Sequence, residues 1–362
     1  MKVIISGGGT GGHIFPAISI ANALKETDNS VEILFVGAEG RMEMEKVPAS
    51  GYDIVGLPVA GLQRRLTFKN FSFPFKLLKS LNKVMTVIKD FKPSVVVGVG
   101  GYASAPALWQ AQRMGIPTVI QEQNSYAGLT NKLLAKKARA VCVAYQGMER
   151  FFPKNRIHYT GNPVRQDLFG LDGIRDEAVK FFGFDTDKPV VLALGGSLGA
   201  RTINESIAGS LDEFARNNIR LIWQTGKHYF ATASKLAEEK PDIKVFDFIY
   251  KMNYAYAAAD VIISRAGAGT ISELCIVGKP AVLIPSPNVA EDHQTKNAMA
   301  LANSDAAVMI KDDAAKNKLM ATVIDLINNK SHIDKLSCNI SALAMPDAAR
   351  DIVNRILSIV KK

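Results

Sequence analysis

Glycine-rich turns are the part of this 362-residue chain whose residue types and spacing best suit chemistry. They occupy residues 7–12, 98–101, 195–200 and 265–270, two in each half of the chain, and each follows a short apolar run. A buried strand, a tight turn and a helix start leave backbone N–H groups free beside a partial charge of about +0.5. Such junctions suit phosphate groups, so the sequence predicts two phosphate-binding halves.

The turn at residues 265–270 is followed by a carboxylate that could contact a ligand bound at the turn. Glu273 lies about one helical turn beyond the predicted helix start near Gly269. From there it can accept hydrogen bonds from two ribose hydroxyls while the helix amides bind a diphosphate. The alternative is that Glu273 only stabilises the helix dipole. We expect Ser197, in the turn at 195–200, to reach the same edge of the predicted sheet.

The first turn also fits a dinucleotide-binding pattern. Gly7, Gly9 and Gly12 satisfy Gly-x-Gly-x-x-Gly, and Glu39 follows the next predicted strand, where an acidic residue would hold a ribose. His13 directly after the glycines, and the second glycine-rich system, favour another nucleotide chemistry. A nucleotide-dependent oxidoreductase stays open as an alternative.

The elements that must position these turns are short strands alternating with helices. Predicted strands are residues 2–6, 32–36, 52–57, 94–98, 117–121, 140–144, 189–194, 219–224, 243–246, 261–264, 281–285 and 307–310. This alternation is typical of right-handed βαβ units. It predicts an α/β chain with two Rossmann-like, doubly wound parallel sheets, divided near residues 160–163, and a last amphipathic helix from residue 346.

Composition limits the class of protein. A net charge of +10 favours an anionic partner such as nucleic acid, an acidic membrane surface or a phosphorylated substrate, although many soluble proteins are equally basic. Cys142, Cys275 and Cys338 lie far apart, which fits a reducing cytoplasm and neither a disulfide framework nor a zinc site. Glycine and proline interrupt the uncharged stretches 3–24 and 94–112, so we expect neither a signal peptide nor a transmembrane helix.

Seven motifs, in order along essentially the whole chain, carry a family resemblance. They are residues 7–13, 98–102, 122–124, 161–165, 195–197, 265–273 and 291–294. Together they resemble the bacterial peptidoglycan N-acetylglucosaminyltransferases, the MurG-like enzymes, which convert lipid I to lipid II. The resemblance implies a GT-B fold with a cleft between two domains. Residues 1–162, joined by the helix 346–362, would face the acceptor and the membrane, and residues 163–345 would bind the UDP-sugar donor.

The resemblance also implies roles for matching residues. Donor-binding residues would be Thr10, Gly11, Gly12, Asn124, Arg165, Ser197, Ile249, Arg265, Ala268, Gly269, Thr270, Glu273 and Gln294. The backbone of Ile249 would read the uracil, and Glu273 would hold the ribose. The pyrophosphate of the acceptor would lie on Gly9, Gly100, Gly101 and Tyr102.

The implied reaction is an inverting displacement. The 4-hydroxyl of MurNAc in undecaprenyl-pyrophosphoryl-MurNAc-pentapeptide attacks the anomeric carbon of UDP-N-acetylglucosamine, and UDP leaves. This needs a base, and His13 is the candidate because histidine titrates near neutral pH. Its alternative role is to orient a phosphate or cap the helix. Glu122 is the second candidate base; its alternative role is that of a structural carboxylate. Gln121 stands where some family members have a histidine, and a glutamine cannot act as a base.

We expect neither a metal nor another cofactor. The Asp-x-Asp triplet at residues 185–187 precedes a strand, so it lies at the opposite end of that strand from the donor turns. Helix dipoles would then replace the divalent metal of other glycosyltransferases.

Aromatic and basic residues predict membrane contact. The set is Phe68, Phe71, Phe73, Phe75, Lys76, Lys79 and Lys136. Aromatic rings beside lysines suit the surface of an anionic bilayer, here the cytoplasmic face of the cell membrane. The alternative is that the rings pack inside and the lysines are merely solvated. No RNA-binding motif accompanies them, so nucleic acid is not an expected partner.

Rival functions stay open. A UDP-N-acetylglucosamine 2-epimerase or another GT-B glycolipid transferase would share the donor motifs. An epimerase has no acceptor, so the aromatic segment 68–75 and the loop at residues 98–102 would lack an evident function. A non-catalytic nucleotide-sugar sensor would bind the donor without turnover.

Overall fold

The computed structural model describes residues 1–59, 73–185, 187–196, 199–289 and 292–361, with only the backbone described at residues 73 and 74. The chain forms two compact units, Met1–Arg165 with Pro346–Lys362, and Gln166–Met345. The chain leaves the first unit after Arg165, compared with residue 162 in the sequence-based expectation. No helix in these described ranges is long and apolar enough to span a bilayer.

The first unit is built on a parallel sheet. Its strands are β1 (Lys2–Ser6), β2 (Glu32–Ala38), β3 (Asp53–Leu57), β4 (Val95–Gly98), β5 (Thr118–Glu122), β6 (Ala140–Val143) and β7 (Ile157–Tyr159). Within the described residues they form one sheet in the order β3-β2-β1-β4-β5-β6-β7. The strand order reverses between β1 and β4, and ligands of such sheets bind at the carboxyl ends there. The sequence did not predict β7, a three-residue strand without a fully buried residue.

Helices cover both faces of this sheet. They are α1 (Gly11–Thr27), α2 (Glu43–Ala49), α3 (Phe73–Phe91), α4 (Ser104–Arg113) and α5 (Leu129–Leu134). Burial on both faces explains the continuous apolar runs of the strands, such as Val3, Ile4 and Ile5, which are at most 1% exposed. One cluster packs Ile14 and Ile20 of α1 on Val3 and Ile5, and another packs Ala107 and Leu108 of α4 on Ile4.

The second unit repeats this plan. Its strands are β8 (Val190–Leu194), β9 (Arg220–Gln224), β10 (Ile243–Phe246), β11 (Val261–Ser264), β12 (Ala281–Leu283) and β13 (Val308–Met309). They form a parallel sheet in the order β10-β9-β8-β11-β12-β13, which again reverses, here between β8 and β11. The fold class predicted from the sequence, two Rossmann-like doubly wound parallel sheets, is confirmed.

Helices flank the second sheet as they do the first. They are α6 (Arg175–Phe181), α7 (Arg201–Ala208), α8 (Leu211–Arg216), α9 (Lys227–Leu236), α10 (Met252–Ala258), α11 (Ala268–Val277), α12 (His293–Ala302), α13 (Ala315–Asn328) and α14 (Lys330–Ala342). The two faces bury separate apolar clusters, one around Tyr256 and Leu274 and the other around Trp223 and Phe214.

The last helix, α15 (Ala348–Val360), returns to the first unit. Its apolar stripe is buried, with Ile352, Val353 and Ile356 all at 0% exposure. These side chains join the cluster that contains Ile14 and Ile20 of α1. Apolar burial therefore attaches the C-terminal segment to the sheet of the first unit.

Candidate active site

The two glycine turns of the first unit lie side by side. They follow the paired strands β1 and β4, whose last residues Ser6 and Gly98 are in register. The N–H of Val99 donates to the carbonyl of Ser6 at 2.8 Å. A Cβ at Gly101, where φ is +84°, would stand 2.2 Å from the carbonyl oxygen of Gly8. The predicted acceptor turns therefore form one surface, and their backbones touch where a side chain would not fit.

His13 lies in the first turn of α1, beside the second glycine turn. Its Nδ1 pairs with the hydroxyl of Thr10 at 3.1 Å. A Cβ at Gly100 would meet Cδ2 of the imidazole at 2.6 Å and Nε2 at 2.8 Å. Because Thr10 holds one ring nitrogen, the other lies on the Gly100 side, over the predicted acceptor surface. This geometry suits a group that exchanges a proton with a bound hydroxyl.

Gly9, predicted to bind the acceptor pyrophosphate, already has a partner for its amide. Its N–H donates to Oε2 of Glu43 at 2.9 Å. The amides of this turn that remain available to an anion are those at the start of α1, where Gly11 and Gly12 follow Thr10 and no described side chain caps the helix. The sequence reasoning missed Glu43, because nothing in the spacing of residues 37–43 indicates a contact with the turn at 7–12.

Glu122, the second candidate base, is tied into its own loop. Its carboxylate accepts hydrogen bonds from the N–H of Asn124 at 3.1 Å, the N–H of Gly128 at 3.0 Å and Nδ2 of Asn131 at 2.9 Å. The side chain is 2% exposed. Burial raises the pKa of this carboxyl, against the hydrogen bonds that lower it. These contacts match its structural alternative, a carboxylate that fastens the 124–131 loop to the end of β5.

Buried amides connect the motif at 122–124 with the motif at 161–165. Nε2 of Gln121 donates to Oδ1 of Asn162 at 2.8 Å, and Nδ2 of Asn162 donates to the carbonyl of Gln123 at 3.1 Å. Gln123 in turn donates to the carbonyl of Val99 at 2.6 Å. The network reaches the turn after β4, so these motif residues help to fix the turn at residues 98–101. Arg165, at the end of the second motif, lies over the ring of Phe15 in the same unit.

In the second unit, the predicted donor turns also leave adjacent strands. Leu194 of β8 pairs with Ser264 of β11, so both turns start at the same sheet edge. Helix α11 begins at Ala268 after the N-cap Gly267, with no described side chain capping it and no acid in its first turn. Amides in the first turn, including those of Gly269 and Thr270, are thus available to an anion. Ser197 and Glu291 lie outside the described residues.

Glu273 stands one turn into α11, as predicted, and is half-buried. Its Oε2 accepts a hydrogen bond from the hydroxyl of Tyr256 at 2.9 Å. Tyr256 belongs to α10 and is 1% exposed, so the core fixes its ring and with it the direction of the carboxylate. A fixed acceptor beside a helix N-terminus fits a ribose next to a diphosphate.

Arg265 and Ile249, two predicted donor contacts, already have partners. Arg265 donates to the carbonyl of Ile284 at 3.0 Å and forms an ion pair with Asp312. The N–H of Ile249 donates to Oε1 of Gln224 at 2.9 Å, so only its carbonyl could make the predicted backbone contact with a uracil. Another predicted donor contact, Gln294, accepts from the N–H of Ser286 at 2.9 Å. These contacts brace the loops around the donor turns.

The Asp-x-Asp triplet lies before β8, at the amino end of the sheet. Asp187 and Asp185 both contact the guanidinium of Arg220, at 3.1 and 3.5 Å, whereas residue 186 is not among the described residues. Across the ranges that the structure describes, no group of three His, Cys, Asp or Glu side chains is arranged to hold a metal ion.

An apolar groove of about 630 Å³ lies between α3, α4 and α5 of the first unit. Its apolar lining includes Leu77, Leu81, Pro106, Trp109, Leu133 and Leu134, and Lys136 and Arg113 also border it. Phe75, Lys76 and Lys79 of α3 are also exposed, but they are not among the residues that line the groove. Of the other predicted membrane residues, Phe68 and Phe71 lie outside the described residues, as does the side chain of Phe73.

Comparison with family models and known proteins decides the family. The glycosyltransferase family 28 N-terminal domain matches residues 3–143, and the family 28 C-terminal domain matches residues 190–352. The chain belongs to glycosyltransferase family 28. This membership makes it a glycosyltransferase and excludes the dinucleotide-binding interpretation of residues 7–12.

Curated relatives of this family 28 chain share its full length. One from Parabacteroides distasonis, a UDP-N-acetylglucosamine--N-acetylmuramyl-(pentapeptide) pyrophosphoryl-undecaprenol N-acetylglucosamine transferase, is 56% identical and covers 100% of this chain and 99% of the relative. A relative of the same name from Flavobacterium psychrophilum is 53% identical, covering 99% and 98%.

Solved structures show the same fold. The crystal structure of Acinetobacter baumannii MurG superimposes with a TM-score of 0.76 at 30% identity, covering 99% of both chains. A UDP-N-acetylglucosamine 2-epimerase superimposes with a TM-score of 0.68 at 14% identity, covering 99% of this chain and 96% of the other, which shows the fold alone.

Proposed function

We propose that this protein is an inverting N-acetylglucosaminyltransferase. It moves N-acetylglucosamine from UDP-N-acetylglucosamine to the 4-hydroxyl of MurNAc in lipid I and so forms lipid II for peptidoglycan synthesis. The observation that carries the proposal is 53–57% identity, over nearly the whole length, to family 28 enzymes named for this transfer. Among the described residues, each unit also has a helix start without a side-chain cap, as a bound diphosphate would require.

The first unit is assigned to the acceptor. The acceptor pyrophosphate lies over the amides of Gly11 and Gly12 and the turn at Gly100 and Gly101. His13 removes the proton of the attacking hydroxyl through Nε2. The support is the contact of the imidazole with Gly100 and the hydrogen bond from Nδ1 to Thr10, which together fix the ring. Glu122 is assigned a structural role, because its hydrogen bonds hold its own loop.

The second unit is assigned to the donor. Glu273 accepts hydrogen bonds from the ribose hydroxyls, and the carbonyl of Ile249 accepts one from the uracil. The amides of Ala268, Gly269 and Thr270 stabilise the negative charge that develops on the departing UDP. The support is the position of Glu273 one turn into α11, oriented by Tyr256.

The first unit is also assigned to the membrane, as a peripheral contact on the cytoplasmic face. The apolar groove lined by Leu133 and Trp109 has cationic residues at its rim, among them Lys136. Apolar side chains beside lysines bind anionic bilayers by burial and by attraction. In vesicle co-sedimentation, Leu133→Ser should weaken binding, whereas Leu236→Ser, an exposed leucine of the second unit, should not. Equal binding by both variants would contradict the assignment.

The deciding experiment is radiolabel transfer from UDP-N-acetylglucosamine to a short-chain lipid I analogue, with and without EDTA. Label in the lipid phase that survives EDTA supports transfer assisted by helix amides. Label that appears only without EDTA would still show transferase activity, but it would mean that a metal ion, and not helix amides alone, stabilises the departing UDP. Donor binding without transfer points instead to an epimerase or a sensor. An epimerase would convert UDP-N-acetylglucosamine without an acceptor, whereas a sensor would leave it unchanged.

A further inference from the structure

Glu43 is a buried acid that the proposed mechanism does not use. It is the first residue of α2, yet its side chain is 0% exposed. A carboxylate without water is costly unless strong hydrogen bonds replace its hydration. Its surroundings must therefore supply donors.

Two backbone N–H groups donate hydrogen bonds to Glu43, one from the turn after β1 and one from the end of β2. Oε2 accepts the N–H of Gly9, in the turn after β1, and Oε1 accepts the N–H of Ala38, the last residue of β2, both at 2.9 Å. Hydrogen bonds from amides to a carboxylate are among the stronger ones in proteins. Glu43 thus fastens the glycine turn to the neighbouring strand.

The glycines of this region make room for Glu43. A Cβ at Gly8 would stand 2.1 Å from its Oε1, and a Cβ at Gly37 would stand 2.6 Å from its Cγ. The absence of side chains at these positions therefore serves the packing of this carboxylate against the turn. The space for a side chain at residue 8 is thus occupied by Glu43, whereas the space at residue 101 is occupied by the backbone of Gly8.

Hydrogen bonds link the turn that Glu43 holds to the imidazole of His13. Gly9 precedes Thr10, whose carbonyl accepts the N–H groups of His13 at 3.1 Å and Ile14 at 3.2 Å. The hydroxyl of Thr10 pairs with Nδ1 of His13 at 3.1 Å. Holding Gly9 therefore fixes the start of α1, its free amides and the direction of the ring.

We propose that Glu43 is a positioning residue for the acceptor half of the site. By binding the Gly9 amide it fixes the turn at residues 7–12, so that the helix amides and His13 stand ready for the acceptor diphosphate and its hydroxyl. Donors fixed beforehand need no reorganisation when the anion arrives. The proposal rests on the function assigned above, because it concerns the same acceptor.

The test compares Glu43→Gln with Glu45→Gln, an exposed acid of the same helix. Glutamine keeps one oxygen, but its NH₂ group must face one of the two N–H donors. We expect the KM for the lipid I analogue to rise about tenfold to a hundredfold, the loss expected for one charged hydrogen bond. The affinity for UDP and the kinetics of Glu45→Gln should not change.

A purely structural role gives a different result. Glu43→Gln would then lower Tm, but at a temperature where both proteins are fully folded its acceptor KM would equal that of the parent, and the proposal would be overturned. Gly8→Ala offers a second variant, because its Cβ displaces the carboxylate while leaving residue 43 unchanged; it should raise the same KM.

A further experiment tests the role of Glu43 even if the proposed transferase function is wrong. If the parent transfers no label, inorganic pyrophosphate is titrated while the amide NMR signals of residues 10–13 are followed. Weaker perturbation of these signals in Glu43→Gln than in the parent supports the positioning role. Equal perturbation in the two proteins, or none in the parent, overturns it.

Discussion

The imidazole of His13 packs on the backbone of Gly100, closely enough that a Cβ on residue 100 would stand 2.8 Å from Nε2. His13 lies at the start of α1, which follows β1, and Gly100 lies in the turn after β4. Their contact fixes where the proposed base stands on the acceptor surface, and it leaves no space for a side chain at residue 100.

Gly100→Ala should therefore displace His13. The new Cβ requires the ring to move, and we expect kcat for transfer to fall at least tenfold with UDP affinity unchanged. Gly115→Ala is the matched control, because Gly115 also has a positive φ, +76° against +94°, but no atom of the described residues lies within 4 Å of its Cβ position. Both variants bear a backbone strain of roughly 1–2 kcal/mol from the positive φ. Equal turnover in the two proteins would mean that the contact does not position the base.

His13→Ala should lower turnover far more than donor affinity. Loss of a general base costs about a hundredfold to ten-thousandfold in kcat. The control is His228→Ala, since His228 is exposed on α9. Steady-state kinetics and a UDP titration separate the two effects. Parallel losses in kcat and in UDP affinity would instead make His13 a binding residue.

The sequence was enough to predict the sheets and the turns. β-branched runs such as Val95–Val97 are buried on both faces, which produces continuous apolar strands separated by helices. The positions of the glycine turns follow from this pattern, because each turn must leave the carboxyl end of a parallel strand. The short β7 was missed, since its three residues are not fully buried and give no apolar run.

The partners of individual side chains were not predictable in this way. Glu43 contacts Gly9 across 34 positions of sequence, and Arg265 pairs with Asp312 across 47. Such contacts depend on how loops fold over the sheet edge, which neither periodicity nor spacing encodes. For the same reason the hydrogen-bond donors of Glu122, the second candidate base, could not be predicted from the sequence.

Glu273→Ala should weaken UDP binding by about 1–3 kcal/mol, the cost of removing hydrogen bonds to a charged group. Tyr256→Phe should have a smaller effect, because it removes only the hydroxyl that orients the carboxylate. Isothermal titration with UDP measures both. Unchanged affinity in Glu273→Ala would remove this residue from the proposed ribose contact.

Asp312→Asn tests whether Arg265 has a structural role, through its ion pair with Asp312, or contacts the donor. Both side chains are mostly buried, and Asp312 also accepts the hydroxyl of Thr202 at 2.9 Å. Removing the charge should lower the free energy of unfolding of the second unit by about 1–3 kcal/mol. Asp325→Asn, on α13, serves as the comparison in urea titrations. Unchanged UDP affinity in Asp312→Asn would leave the pair a structural role alone, whereas a fall in UDP affinity alongside the stability loss would support a donor contact of Arg265 that Asp312 orients.

Glu122→Gln distinguishes a structural carboxylate from a base, and pH sharpens the test. Burial raises the pKa of Glu122 above its usual 4.5, so the native state keeps this proton to higher pH than the unfolded state. The native state then binds more protons, and the free energy of unfolding falls as pH rises from about 4.5 through the raised pKa. Glutamine does not titrate, so this part of the pH dependence should disappear in urea titrations, whereas Glu149→Gln, an exposed acid, should retain it.

The kinetics of the same variant complete the argument about Glu122. Its NH₂ group faces donors such as the N–H of Gly128, so a stability loss of about 1–3 kcal/mol is expected at neutral pH. Folded Glu122→Gln should nevertheless keep kcat within severalfold of the parent, since His13 supplies the base. A hundredfold loss of kcat in fully folded protein, with the acceptor KM unchanged, would transfer that role to Glu122.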